Sequence, residues 1–204
     1  MRRKEAVLFF ISTVSPGNRL ASAPGNGRIK LVTTTTSTLN NLSFFARIRR
    51  NHGLEHATLH VLSERHPRRS MAGYSDWRGF WIVGENSLED VQSAVETARQ
   101  RLQNGESDLV IHANCGTNYV VSGTLAGIGA LLALSGVGPR KRDWLERVPL
   151  AASLATLALI VAQPLGFIVQ SRLTTSPEIG DMQVVEILAG QRGMLPAYRI
   201  LTRG

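Results

Sequence analysis

The chain has 204 residues, a formal net charge of +8 and a single cysteine, Cys115, which excludes an internal disulfide. The basic residues of the polar part are not interleaved with aromatic side chains on which bases would stack, so we expect no nucleic acid as partner. Anionic lipid headgroups are the expected counter-charge, because two uncharged apolar segments indicate that the chain is bound to a lipid bilayer.

Residues 1–43 are predicted to form a disordered leader. They contain turn-forming Pro-Gly and Gly-Asn pairs and a threonine-rich run at 33–38, without a sustained period. The basic start and the apolar residues 6–14 resemble a signal peptide, for which Ala21-Ser22-Ala23 would be the cleavage site. The apolar run is short, however, so a non-functional upstream extension is the alternative.

Residues 44–117 are predicted to form the first part of a polar α+β domain. Apolar residues at helical spacing predict a helix over about 43–64, and Pro67 ends it. The segment 71–85 has aromatic and β-branched residues between glycines, which predicts one or two strands.

A second helix is predicted after Ser87, whose side chain is placed to cap it, with Asp90 three positions further on. Gly105 is a suitable terminator for this helix. The short apolar run 109–111 is a candidate buried strand that leads into His112.

Two uncharged apolar segments predict a transmembrane hairpin over residues 118–170. The segments 118–137 and 148–170 are both long enough to cross a hydrocarbon core about 30 Å thick, at about 1.5 Å per helical residue. Gly123 and Gly127 form a Gly-x-x-x-Gly pair, which permits close helix contact. The alternative is that one lipid-facing helix simply contains several glycines.

Residues 171–204 are predicted to return to the polar domain. Two β segments, 182–188 and 196–202, are separated by glycines and a proline. We expect them to pair with the earlier strands. The fold class predicted is therefore a small polar α+β domain that is interrupted by a two-helix transmembrane hairpin.

The densest group of histidines reads His52-Gly53-Leu54-Glu55-His56. On a helix, His52, Glu55 and His56 lie within an arc of about 100°, so two imidazoles can bind one metal ion with the carboxylate beside it. Zinc held by three protein ligands keeps a position for water and lowers the pKa of that water, and Glu55 would be the general base. The alternative is a solvated helix face with ordinary i,i+3 hydrogen bonds.

The third metal ligand is expected to be His112 or Cys115, which lie at the end of the candidate strand. A neutral imidazole or a thiolate would complete the site equally well. His60, further along the first helix, is another candidate. If it is not a ligand, Cys115 is a small apolar filler or a thiol with a depressed pKa.

The segments Arg49–Thr58 and His112–Asn118, which read RRNHGLEHAT and HANCGTN, resemble a functionally uncharacterised family of small bacterial membrane proteins. This domain-of-unknown-function family is frequent in cyanobacteria and Chloroflexi-like lineages. The resemblance extends over roughly residues 44–190. It implies a membrane protein without an assigned activity.

A second resemblance is limited to five residues. The His-x-x-Glu-His spacing of His52–His56 is similar to that of the inverted zinc peptidases. Those enzymes take a third ligand from a downstream glutamate, and the corresponding candidates are Glu89 and Glu96.

The expected function is that of a membrane-bound zinc-dependent hydrolase, a peptidase that acts on a membrane-proximal peptide. Glu55 is the expected base, and the expected ligands are His52, His56 and either His112 or Cys115. The alternative is a non-catalytic membrane scaffold or assembly protein in which the same His/Glu/Cys cluster is structural.

Two charge patterns disagree about the side of the membrane on which the polar domain lies. Segment 138–147 carries four Lys and Arg residues, so the positive-inside rule places it in the cytoplasm and the domain outside. That orientation requires export of the domain, for which the leader is a poor signal. Basic residues of the domain, such as Arg47 and Arg49, also suit the anionic cytoplasmic leaflet. We therefore expect a cytoplasmic domain.

A cysteine introduced at Ser70 in a Cys115→Ser chain should be protected from an impermeant thiol reagent in intact cells. Labelling should appear only after lysis, because a cytoplasmic thiol lies behind the membrane. Mass spectrometry of the labelled chain measures both states. Labelling of intact cells would place the domain outside and would identify the leader as a signal.

Overall fold

The computed structural model describes residues 32–204, with side chains from residue 43 onwards, so the proposed signal and its cleavage site lie outside the described residues. The first helix, α1, spans Val32–Arg65. The predicted helix over 43–64 is its second half. Residues 32–43, which the sequence assigns to a disordered leader, are helical instead.

A four-stranded antiparallel sheet forms the second layer of the polar domain. Its strands are β1 (Met71–Asp76), β2 (Gly79–Gly84), β3 (Gln183–Arg192) and β4 (Leu195–Arg203). They lie in the order β1-β2-β4-β3. Because β4 pairs with β2, the chain that follows the apolar helices completes the sheet begun before them. The predicted return of the chain is confirmed.

The core of the domain lies between this sheet and α1. Alternate residues of the central strands, Phe80, Ile82 and Ile200, are fully buried, as the period of two along a strand requires. Helix α1 packs against β1, β2 and the second helix, α2 (Leu88–Gln103). The Ser87 side chain accepts a hydrogen bond from the Asp90 N–H at 3.0 Å, which confirms the predicted cap.

The predicted strand at 109–111 is wrong. Residues Ser107–Val110 form a 3₁₀ turn instead. Leu109 and Val110 are buried, but against α1 and not in the sheet. The period of a short apolar run does not distinguish these two cases, and here the Val110 carbonyl finds its partner in a histidine side chain instead of a strand.

Two further helices, α3 (Gly116–Leu134) and α4 (Lys141–Val169), pack against each other. Both are long and apolar enough to cross a membrane. Helix α4 begins earlier than the apolar segment predicted at 148–170. Part of the predicted loop, with Lys141 and Arg147, forms the first turns of α4, because apolar composition marks only the part of a helix that avoids water.

One close contact between α3 and α4 is at Gly129. A methyl group on this residue would lie 2.9 Å from the Leu154 carbonyl oxygen. Methyl groups on Gly123 and Gly127 would meet nothing within 4 Å in the described part of the chain. The Gly-x-x-x-Gly pair is therefore not what joins these two helices, and the alternative of a merely glycine-rich helix describes it better.

Gly129→Ala should weaken the packing of α3 on α4. The helices must move apart to admit the methyl group, which we expect to cost about 1–3 kcal/mol. Gly127→Ala is the matched control on the same helix. It should be neutral or stabilising by up to about 1 kcal/mol, since alanine favours helix more than glycine does. Thermal unfolding in detergent compares the two, and equal changes in Tm would contradict this contact.

Candidate metal centre

Helix α1 carries His52 and His56 one turn apart on the same face, as predicted. Their ring centroids are 4.4 Å apart, and the ring planes are inclined at 65° to each other. His56 is buried, at 2% exposure, whereas His52 is half-buried. Leu54 on the opposite side of the helix is part of the core and holds this face in place.

Backbone carbonyls determine which nitrogen of each ring carries the proton. His52 Nδ1 lies 2.9 Å from the Thr174 carbonyl oxygen, and His56 Nδ1 lies 2.6 Å from that of Val110. A carbonyl only accepts, so both rings carry a proton on Nδ1 and donate it. Each Nε2 therefore keeps its lone pair. This is the orientation that a metal-binding imidazole requires.

Cys115 brings a thiol to these two nitrogens. It is the N-cap of α3, where its Sγ accepts a hydrogen bond from the Thr117 N–H at 3.4 Å. The same Sγ lies 3.4 Å from His52 Nε2, and the ligand atoms of His52, His56 and Cys115 all lie within 4.8 Å of one another. Ligand atoms on one tetrahedral zinc ion are about 3.5 Å apart, so small side-chain movements suffice for binding.

The surroundings of the thiol favour its deprotonated form. Burial raises the pKa of Cys115, but the neighbouring His56 and Thr117 together outweigh burial, and the pKa lies below its usual value. The pKa of His56 is lowered, chiefly by burial, which keeps its ring neutral. A thiolate and neutral imidazoles are the forms of these side chains that bind metal ions.

Glu55 is buried beside this cluster, at 4% exposure. Its carboxylate lies against β1 at Gly73, where the space is so small that a methyl group would overlap it. Burial raises the pKa of Glu55 to about 7, although the nearby His52 lowers it in part. The Oε2 atom has no hydrogen-bond partner in the described part of the chain.

The other predicted ligand, His112, lies beside the cluster but is not part of it. Its ring centroid is 5.6 Å from that of His56 and 5.2 Å from that of His60. His60 donates from Nε2 to the Ile111 carbonyl at 2.8 Å. Burial, and secondarily His60, lowers the pKa of His112. Of the two candidates for third ligand, the geometry brings Cys115 to the pair of histidines.

The downstream glutamates suggested by the peptidase resemblance lie elsewhere. Glu89 and Glu96 are exposed on α2, and Glu96 pairs with Arg99 at 2.8 Å. Neither lines the cavity beside the cluster. Helix α2 packs against α1 but contributes no residue to the lining of the cavity. Glu89 and Glu96 are therefore wrong as candidates for the third ligand.

Gln170 holds the loop that carries His112 and Cys115, a role that the sequence analysis did not predict. It is fully buried at the start of a π-helical turn after α4. Its Oε1 accepts from the His112 N–H at 3.0 Å, and its Nε2 donates to Asn118 Oδ1 at 2.6 Å. Asn118 in turn donates to the Ala113 carbonyl at 2.8 Å. The position of this amide at the end of an apolar segment could have indicated the role, because a buried amide side chain needs hydrogen-bond partners.

The cluster and Glu55 face one cavity of about 1030 Å³. Its walls are α1, β1, the start of α3 and the turn after α4. The residues that line it include Phe45, Ile48, His52, Glu55, His56, Met71, Gly73, Tyr74, His112, Cys115, Tyr119 and Leu173.

These features define a small α+β protein with two apolar helices and a His₂Cys cluster beside a buried carboxylate. The chain belongs to the family called Domain of unknown function (DUF6391), whose model matches residues 47–187. The predicted membership in an uncharacterised family is confirmed.

One curated relative is an uncharacterized protein of Picosynechococcus sp. (strain ATCC 27264 / PCC 7002 / PR-6). It is 35% identical over an alignment of 143 positions, and the match covers 63% of this chain and 66% of the relative. The chain thus spans just under two thirds of that relative's length. No solved structure matches the chain.

Proposed function

We propose that this protein is a membrane-bound zinc hydrolase that cleaves peptides close to the bilayer. The observation that carries the proposal is the convergence of three ligand atoms, from His52, His56 and Cys115, on a cavity that also contains the Glu55 carboxylate. Two imidazoles and a thiolate suit zinc better than magnesium or calcium, which prefer oxygen. Three protein ligands leave a fourth position for water.

The membrane part of the proposal rests on the two apolar helices. Large apolar side chains on both, such as Leu131 and Ile160, are more than 60% exposed, a surface that a protein in water would have to cover. We propose that α3 and α4 cross the bilayer as a hairpin, with the polar domain on the cytoplasmic side. Cys115 caps α3, so the metal centre would lie at headgroup level, within reach of membrane-proximal peptides.

The residues divide the chemistry between them. Zinc, when bound, would polarise the substrate carbonyl and acidify the attacking water. Glu55, whose buried Oε2 has no hydrogen-bond partner in the described part of the chain, would accept the proton of that water and return it to the leaving amine. The buried position of the carboxylate keeps bulk water from competing for its lone pairs.

A structural role for the cluster is the second candidate, and one observation favours it. Besides facing Cys115, His52 binds the Thr174 carbonyl and His56 binds that of Val110. The two histidines thus join α1 to the segments before α3 and after α4. A scaffold would need these contacts even without metal. Metal content and the effect of Glu55 on turnover separate the two candidates.

Protein purified in detergent should contain about one zinc ion per chain. His56→Ala and Cys115→Ala should each lose most of it, because two remaining ligands hold zinc weakly. His60→Ala is the matched control and should retain zinc, since that ring lies outside the three-ligand cluster. Plasma mass spectrometry measures the stoichiometry. A zinc-free protein, or equal zinc in all variants, would contradict the proposed centre.

Glu55→Gln should keep the zinc but lower peptide hydrolysis by about 10²-fold or more, the usual cost of removing a general base. The assay uses a quenched-fluorescence peptide library in mixed lipid–detergent micelles. Glu96→Gln, on the exposed face of α2, is the control and should change neither quantity. Loss of zinc from Glu55→Gln would make Glu55 a ligand or support, and unchanged turnover would remove it as the base.

A further inference from the structure

Among the described residues 32–204, strand β1 pairs only with β2 and is therefore an edge of the sheet. The two strands are joined by a two-residue turn, so Asp76 and Gly79 form the hydrogen-bonded pair that closes the hairpin. Bonded and non-bonded pairs alternate along an antiparallel ladder. The N–H and C=O groups of Gly73 and Ser75 therefore point away from β2, towards the open edge.

This open edge runs along the candidate metal centre. Residues 71–75 all line the cavity that contains the cluster. Gly73, in the middle of β1, lies against the Glu55 carboxylate, and the Ser75 side chain is a hydrogen-bond partner of the same group. A chain paired with β1 would lie about 4.8 Å from it. Its backbone would then pass directly beside Glu55 and the metal ligands.

The rest of the cavity leaves room for one extended chain. Besides β1, the start of α3 and the turn after α4 line the cavity, including Tyr119 and Leu173. The volume of about 1030 Å³ is at the upper end of the usual range for ligand pockets, about 300–1,000 Å³. A cavity of this volume has room for a short extended segment of one chain.

We infer that the substrate is an extended polypeptide segment that binds by adding a strand to the open edge of β1. The inference rests on the proposed hydrolase and specifies its substrate class. Main-chain hydrogen bonds to Gly73 and Ser75 hold the segment and bring one of its carbonyl groups to the metal. Binding of this kind tolerates many sequences, with preferences set by alternate side chains. Those facing the cavity would be apolar, to match Phe45, Ile48 and Leu173.

Hydrogen exchange with the full-length Glu55→Gln protein in detergent tests this inference. The probe is an acetylated, amidated octapeptide of alternating valine and threonine, which the inactive protein would not cleave. At a free peptide concentration of ten times the Kd, about one protein molecule in eleven has no peptide bound. Hydrogen exchange at the Gly73 and Ser75 amides should therefore slow about tenfold. The Ala72 and Tyr74 amides already pair with β2 and should change little.

The same peptide with every backbone amide N-methylated is the control. It should give no protection, because it cannot donate main-chain hydrogen bonds to the Gly73 and Ser75 carbonyls and its N-methyl groups obstruct close pairing with a strand. Three results would overturn the inference: no protection at Gly73 and Ser75 up to about 1 mM peptide, equal protection by the methylated peptide, or protection confined to β3, the other edge strand. Protection that appears without peptide and increases with protein concentration would also overturn it, because such protection would come from pairing of β1 strands between two copies of the protein.

Repeating the exchange on zinc-free protein separates this inference from the proposed function. Protection at β1 in a protein that never binds zinc would support strand addition and contradict the hydrolase. Zinc binding and hydrolysis without protection at β1 would support the hydrolase and contradict strand addition.

Discussion

The pairing of β2 with β4 is the constraint on which the rest of the molecule depends. These strands lie on either side of the two apolar helices in the sequence, so their pairing requires that the helix pair begin and end beside the polar domain. The start of α3 and the turn after α4 are thereby both placed against α1. That is why Cys115 and Thr174, far apart in the chain, meet the same histidine, His52.

Two backbone carbonyl groups near the ends of the helix pair orient the histidine rings of the cluster. The carbonyls of Val110 and Thr174 lack ladder partners, and a buried carbonyl without a donor is costly. Histidine N–H groups satisfy both. The same two bonds fix the ring tautomers and direct Nε2 of His52 and His56 towards Cys115. The same arrangement therefore satisfies the backbone carbonyls and orients the ligand atoms of the candidate metal centre.

Local signals in the sequence predicted the elements that depend on near neighbours. The cap at Ser87 and the later half of α1 follow from short-range periodicity and hydrogen bonding. The errors concern partners distant in the chain: the apolar run 109–111 packs on α1 instead of in the sheet, and Gly129, not the Gly-x-x-x-Gly pair, meets α4. Similarly, no local pattern assigns Gln170 to the loop that holds Cys115, because that bond spans 58 residues.

The candidate site was predictable only in part, for the same reason. The spacing within His52–His56 places two rings on one helix face, whatever the rest of the chain does. The choice of Cys115 over His112 depends on where α3 starts relative to α1, which no residue spacing specifies. Cys115 is both the N-cap of α3 and the residue whose Sγ lies 3.4 Å from His52 Nε2. Any displacement of the apolar helices against the polar domain therefore moves the thiol relative to the imidazoles, so the position of the helix pair and the geometry of the candidate metal centre are mechanically coupled.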